Sequence, residues 1–156
     1  MTWIIILGLF FLLFQQQLTE RYNPNHKLSA LQLTPADPVV LNRNSKGHYV
    51  APGLINGSKV TFLLDTGATD ISIPASIARQ LGLNKGRPMQ AYTANGVITV
   101  YETTLDAVSL GGITLLNIPA SINPHMGGDT ALLGMSFMQH LEMIQRGDTL
   151  TLKQMP

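Results

Sequence analysis

Two hydrophobic patterns divide the chain. From Trp3 to Phe14, "WIIILGLFFLLF", the run is unbroken by any polar side chain. A helix with no polar face has no side to offer to water. Its 12 residues would span about 18 Å of helix against a hydrocarbon core of about 30 Å. Counting Met1 to Leu18, three glutamines included, brings the span to roughly 27 Å. No Lys or Arg precedes the run, and no small-x-small cleavage site follows it in "QQQLTERY". These flanks predict an uncleaved membrane anchor over residues 1–18, with a cleaved signal peptide as the alternative.

From Thr19 to about Ser45 no apolar period persists, and Pro24, Pro35 and Pro38 punctuate polar residues. This stretch, 19–45, reads as a linker holding the next domain away from the membrane. The remainder, 46–156, reads as short strands. His48 to Ile55 and Val60 to Leu64 flank Asn56-Gly57, a pair that accepts positive φ and signals a hairpin. Val60 to Leu64 is near-continuously apolar, which predicts burial on both faces. Ile71 to Ile73 is a short strand. Pro74 suits the first position of a helix with Ile77, Ala78 and Leu81 inside and Gly82 at its end. Met89–Thr93 and Val97–Tyr101 flank Ala94-Asn95-Gly96 as a second hairpin, whose return strand can run on to Leu110. Gly111-Gly112 then turns into Ile113–Ile122. Ala131–Gly134 is a buried strand, Ser136–Leu141 a short helix, and Glu142–Arg146 with Thr149–Lys153 a closing hairpin around Gly147-Asp148. Frequent short strands with glycine turns predict a mostly-β barrel or sandwich with one or two short helices.

Composition narrows the chemistry. The 156 residues suffice for one domain with a modest core, and 45% apolar against 12% charged residues describes a folded chain. A net charge of +1 offers nothing to nucleic acid. Cysteine is absent, which excludes disulfides, thiol catalysis and cysteine-zinc sites. The histidines, His26, His48, His125 and His140, have no ligand spacing, so neither a metal nor another cofactor is expected.

The candidate chemistry lies in "TFLLDTGATDISIP", Thr61 to Pro74. A carboxylate at the end of a buried strand is costly unless something pairs with it or uses it. Asp65 stands there, Thr66 brings a hydroxyl able to fix neighbouring backbone, and Gly67 lets a backbone or ligand approach closely. The plain structural alternative is an Asx turn, with Asp65 satisfied by local N–H groups.

Two further stretches, "YTANGVIT" and "ALLGMSFM", follow in order. Apolar-apolar-Asp-Thr-Gly-Ala, a glycine-tipped hairpin, then Ala-Leu-Leu-Gly and a short helix resembles the retropepsin-like aspartic proteases over roughly Gly47 to Leu152. It is most similar to the bacterial membrane-anchored members, through "IPASIARQLGL" and the ending "LLGMSF…RGDTLTL". The resemblance implies Asp65 as catalytic aspartate. It implies Thr66 as a brace across a dimer interface, Gly67 as loop support and substrate backbone contact, and Ala68 as the retroviral form of the loop. Ala94, Asn95 and Gly96 become a flap tip, and Leu132, Leu133 and Gly134 the strand and turn beneath the loop. Thr69 and Asp70 take the place of two substrate-binding acids found in many retroviral enzymes, so one acidic contact is missing.

Peptide hydrolysis by this route needs a general acid and a general base around one water, a task for two carboxyls sharing a proton. Only Asp65 is followed by Thr-Gly; Asp129-Thr130-Ala131 and Asp148-Thr149-Leu150 lack the glycine. The expected enzyme is therefore a homodimeric aspartic endopeptidase with Asp65 of each chain on a two-fold axis. Its substrate would be an extended peptide or protein segment held through backbone hydrogen bonds. A non-cleaving, membrane-anchored peptide-binding or dimerisation module of the same fold is the alternative function. Arg21 and Lys27 follow the apolar run, which favours a cytoplasmic domain. The resemblance implies the reverse, a single-pass protein of the bacterial inner membrane with a periplasmic catalytic domain.

Overall fold

In the computed structural model, residues 2–28, 34 and 37–155 are described. Helix α1 (Thr2–Tyr22) carries the apolar run, with its large hydrophobic side chains exposed. It is long and apolar enough to cross a membrane.

Ten strands and two short helices follow. They are β1 (Val39–Asn42), β2 (Val50–Ile55), β3 (Ser58–Leu64), β4 (Ile71–Pro74) and α2 (Ala75–Gln80). Next come β5 (Pro88–Thr93), β6 (Gly96–Leu110), β7 (Ile113–Asn123), β8 (Thr130–Leu133) and α3 (Met135–Met138), and last β9 (Leu141–Arg146) and β10 (Thr149–Gln154). Six strands close a barrel in the order β2-β3-β8-β4-β7-β6, with β6 returning to β2 through Leu54–Ser109 and Ile55–Val108 pairing. Strand β5 pairs with β6 alone, so the β5–β6 hairpin projects from the barrel. A separate three-stranded sheet, β1-β10-β9, holds the chain end.

The turns obey local chemistry. Asn56 (φ 49°) and Gly57 (φ 80°) make the β2–β3 turn in the left-handed region that Asn and Gly accept. Phe62 of β3, Ile71 and Ile73 of β4, Leu105 of β6, Leu133 of β8 and Phe137 of α3 are fully buried in one core cluster.

Four expectations are corrected. Val60–Leu64 is not buried on both faces: Val60 and Phe62 point inward, while Thr61, Leu63 and Leu64 are half-buried. A barrel strand has one inward face, so an apolar run does not imply two. Pro74 ends β4 and precedes the helix as its N-cap residue rather than opening it. The helix expected at Ser136–Leu141 is four residues, Met135–Met138, because Leu141 pairs with Gln154 in the β9–β10 hairpin. The linker expected over 19–45 holds structure at both ends, while Pro35 lies outside the described residues. Helix α1 runs on to Tyr22, and Val39–Asn42 pair with Thr149–Leu152 as β1. Strand β1 went unseen because its three apolar residues gain their partner from a strand more than a hundred residues away.

Between these ends the chain is clasped to the barrel. Asn25 is buried, and its Nδ2 donates to the carbonyls of Asn42 (2.9 Å) and Val50 (2.7 Å). Its Oδ1 accepts from Asn42 N–H at 2.7 Å. One side chain thus ties β1 to β2. Asn25→Ala leaves these three backbone groups without this partner and is expected to lower stability by about 2–3 kcal/mol, read from urea unfolding. A loss under about 0.5 kcal/mol would mean that water replaces the clasp.

Candidate active site

Strand β8 lies between β3 and β4 in the barrel, so the chain leaving β3 must cross the end of β8 to reach β4. Residues 65–70 are that crossover. Asp65 N–H donates to Leu133 O at 3.1 Å, fixing the start of the turn on the last residue of β8. Ala68 N–H donates back to Asp65 O at 3.1 Å. Gly67 N–H donates to Asp65 Oδ1 at 2.9 Å, and no other hydrogen bond is made to the Asp65 carboxylate among the described residues. The Asx-turn bond of the plain structural alternative therefore forms, and it orients the carboxylate while leaving Oδ2 uncommitted among the described residues.

Beneath the turn, β8 runs through Gly134 into α3. Met135 N–H donates to Ala68 O and Ser136 N–H to Thr69 O, each at 2.9 Å. Ile71 N–H donates to Ser136 Oγ at 3.2 Å. The unpaired N–H groups that begin any helix are used here to hold the turn. A Cβ on Gly134 would run into Asp70 O and lie 2.7 Å from Ala68 O, so only glycine allows the turn to sit this close. Thr66 and Gly67 are exposed at its crest, and Asp65 and Ala68 are half-buried.

Asp70, at the far end of the turn, is half-buried and accepts a hydrogen bond from Ser121 Oγ at 3.2 Å. Desolvation raises its pKa above the ordinary carboxylate value, and the Ser121 bond offsets part of that. The folded state then holds this proton more tightly than the unfolded chain. Stability attached to Asp70 falls as pH rises from the ordinary carboxylate pKa through the raised one, and the loss is complete above it. Asp70→Asn removes the charge while keeping an acceptor for Ser121. The variant is expected to gain stability over wild type at neutral pH and not near pH 3, by unfolding at both pH values. An equal difference at both would contradict the assignment to charge burial.

The structure brings Asp65, Thr66, Gly67, Ala68, Thr69 and Asp70 into one turn over Leu133 and Gly134, with Leu132 paired to Leu63 one step below. Ala94, Asn95 and Gly96 stand apart. Thr93 pairs with Gly96 (φ 115°), so Ala94-Asn95 is the hairpin tip, and Thr93 Oγ1 donates to Gly96 O at 2.8 Å. The tip is exposed and makes no hydrogen bond to the Asp65 turn among the described residues. A cavity of about 710 Å³ lies on the barrel flank, lined by Asp70, Leu83, Met89, Glu102 and Pro119 but not by Asp65. The crest of the turn, Thr66 and Gly67, is exposed in the single chain. Ser121 and Ser136 escaped the sequence reading: each braces the turn from an element distant in sequence, and a lone serine carries no pattern. No cluster of three or more metal-ligating side chains occurs among the described residues.

Similarity to known proteins extends across the barrel. A family model described as "gag-polyprotein putative aspartyl protease" matches residues 51–140. An uncharacterised protein encoded in the cobV 5′ region of Sinorhizobium sp is 36% identical over 119 residues, 74% of this chain and 51% of that protein. An uncharacterised protein of Rickettsia prowazekii (strain Madrid E) is 32% identical over 123 residues, 76% of this chain and 50% of that protein. The chain spans about half the length of these curated relatives. The crystal structure of a retropepsin-like aspartic protease from Rickettsia conorii superposes with a TM-score of 0.61 at 28% identity, covering 74% of this chain and 89% of that one. With a closed six-stranded barrel, an Asp-Thr-Gly crossover turn and a family match over most of the barrel, the chain belongs to the retropepsin-like aspartic protease family.

Proposed function

We propose that the protein is an aspartic endopeptidase that works as a homodimer, with water activated between the Asp65 carboxylates of two chains. The observation that carries this reading is the single Asp-Thr-Gly triplet, held on a pinned and exposed turn with one carboxylate oxygen uncommitted. Two such carboxyls close together cannot both ionise, so they share one proton. The ionised one takes a proton from water as it attacks the peptide carbonyl, and the protonated one polarises that carbonyl. Proton return to the amine completes cleavage.

Supporting roles are carried over from the family. Thr66, exposed beside Asp65, bonds across the two-fold axis. Gly67, Thr69 and Asp70 meet the substrate backbone, and the β5–β6 hairpin with Ala94, Asn95 and Gly96 at its tip closes over the peptide and excludes water. The substrate is an extended peptide segment. Helix α1 anchors the enzyme in a bacterial inner membrane, consistent with bacterial relatives and an exposed apolar helix.

The test is cleavage of an unstructured protein by the full chain in detergent over a dilution series. Specific activity is expected to rise with enzyme concentration and level off once dimer dominates, with sedimentation run with and without substrate. Constant specific activity in a species shown to be monomeric would overturn the proposal.

A further inference from the structure

The anchor helix does not end in free chain. Ser45 N–H and Oγ both donate to Arg21 O, at 3.4 and 3.3 Å, and Asn44 Nδ2 donates to Tyr22 O at 3.0 Å. On its other side the Tyr22 hydroxyl meets Thr130 Oγ1 at 3.1 Å. The helix end is therefore seated on the tip of the hairpin that joins β1 to β2, whose base is the Arg43–Tyr49 bridge. With α1 in a bilayer, Tyr22 marks the water interface, and the hairpin tip must lie within a few ångströms of that plane.

Cations outnumber acids there, three to two. Arg21, Lys27 and Lys46 are exposed, and none has a carboxylate partner among the described residues. Two acids stand beside them, Glu20 in sequence and Asp129 through Thr130 Oγ1, which donates to Asp129 Oδ1 at 3.4 Å, while Asp148 is taken by Arg43 at 3.8 Å. Three cations against two acids leave the corner a net positive charge, which at the depth of lipid headgroups matches an anionic surface.

We propose that this corner, Arg21, Lys27 and the Asn44–His48 tip, binds anionic phospholipid headgroups and docks the barrel on the membrane rather than suspending it. The Asp65 turn is brought along: Tyr49, at the foot of the tip, accepts Leu64 N–H at 3.0 Å, one residue before Asp65. The proposal rests on α1 as an anchor.

The chain has no cysteine, so single labels are unambiguous. Full-length Phe10→Cys, Ser45→Cys and Asn95→Cys variants carry an environment-sensitive fluorophore in vesicles of phosphatidylcholine with or without phosphatidylglycerol. Quenching is read from lipids spin-labelled in the headgroup or deep in the acyl chain. The label at 45 is expected to be quenched by headgroup spin labels in phosphatidylglycerol vesicles, and the label at 95 to remain in water. Adding Lys27→Glu and Lys46→Glu to Ser45→Cys is expected to weaken docking by roughly fivefold or more. Acyl quenching at 10 without headgroup quenching at 45 overturns docking while leaving the anchor intact. No acyl quenching at 10 overturns the anchor and docking together. Headgroup quenching at 45 that ignores both phosphatidylglycerol and the charge reversals overturns anionic recognition.

Discussion

Asp65→Asn is expected to reduce peptide hydrolysis on the order of 10³–10⁴-fold, because the amide can neither share the proton nor take it from water. The fold should persist. Asp65 is half-buried at an open turn, and an asparagine Oδ1 can still accept the Gly67 N–H now bonded to Asp65 Oδ1 at 2.9 Å. The measurement is kcat/KM on one peptide for both proteins, with thermal unfolding of each as a control for folding. Activity within tenfold of wild type in a correctly folded variant would remove Asp65 from the catalytic role.

The second large effect is structural. Gly134→Ala places a methyl group against Asp70 O and Ala68 O, both backbone atoms with no rotamer to escape into. Either β8 withdraws or the turn lifts. If the turn lifts, the bonds from Met135 N–H to Ala68 O and from Ser136 N–H to Thr69 O break with it. A loss of about 3 kcal/mol or more is expected, at the upper end of overpacking costs because backbone must move. Activity should fall even under conditions where the variant is folded, since the turn carries Asp65. Urea unfolding together with kcat/KM separates the two effects. A variant as stable and active as wild type would mean that the turn is not held by this approach.

Much of the barrel was legible because its hairpins turn at Asn56-Gly57, Asn95-Gly96 and Gly111-Gly112, and a turn's chemistry is local. The Asp65 turn was legible for a different reason. An acid, a hydroxyl and a glycine after Phe62-Leu63-Leu64 contradict a continuing strand, and such contradictions gather at sites. What the sequence hid was long-range. Strand β1 is recognisable only once β10 is beside it, and Asn25 reads as a loop residue until its contacts to Asn42 and Val50 are seen. Gly134 lies under the turn, yet the reason for glycine there, the close pass of 65–70 over the end of β8, depends on strand order and not on neighbours in sequence. The Ser121–Asp70 and Ser136–Ile71 bonds belong to the same class.

The central claim, that each site takes one carboxylate from each of two chains, is tested most directly by mixing. Wild-type protein and Asp65→Asn are combined at fixed total concentration, allowed to exchange subunits, and assayed across the range of ratios. A site needing two intact carboxyls is active only in wild-type pairs, so activity should fall as the square of the wild-type fraction, to about a quarter in an equal mixture. A linear decline, to about half in the same mixture with exchange confirmed, would show that one chain carries a complete site and would contradict the account.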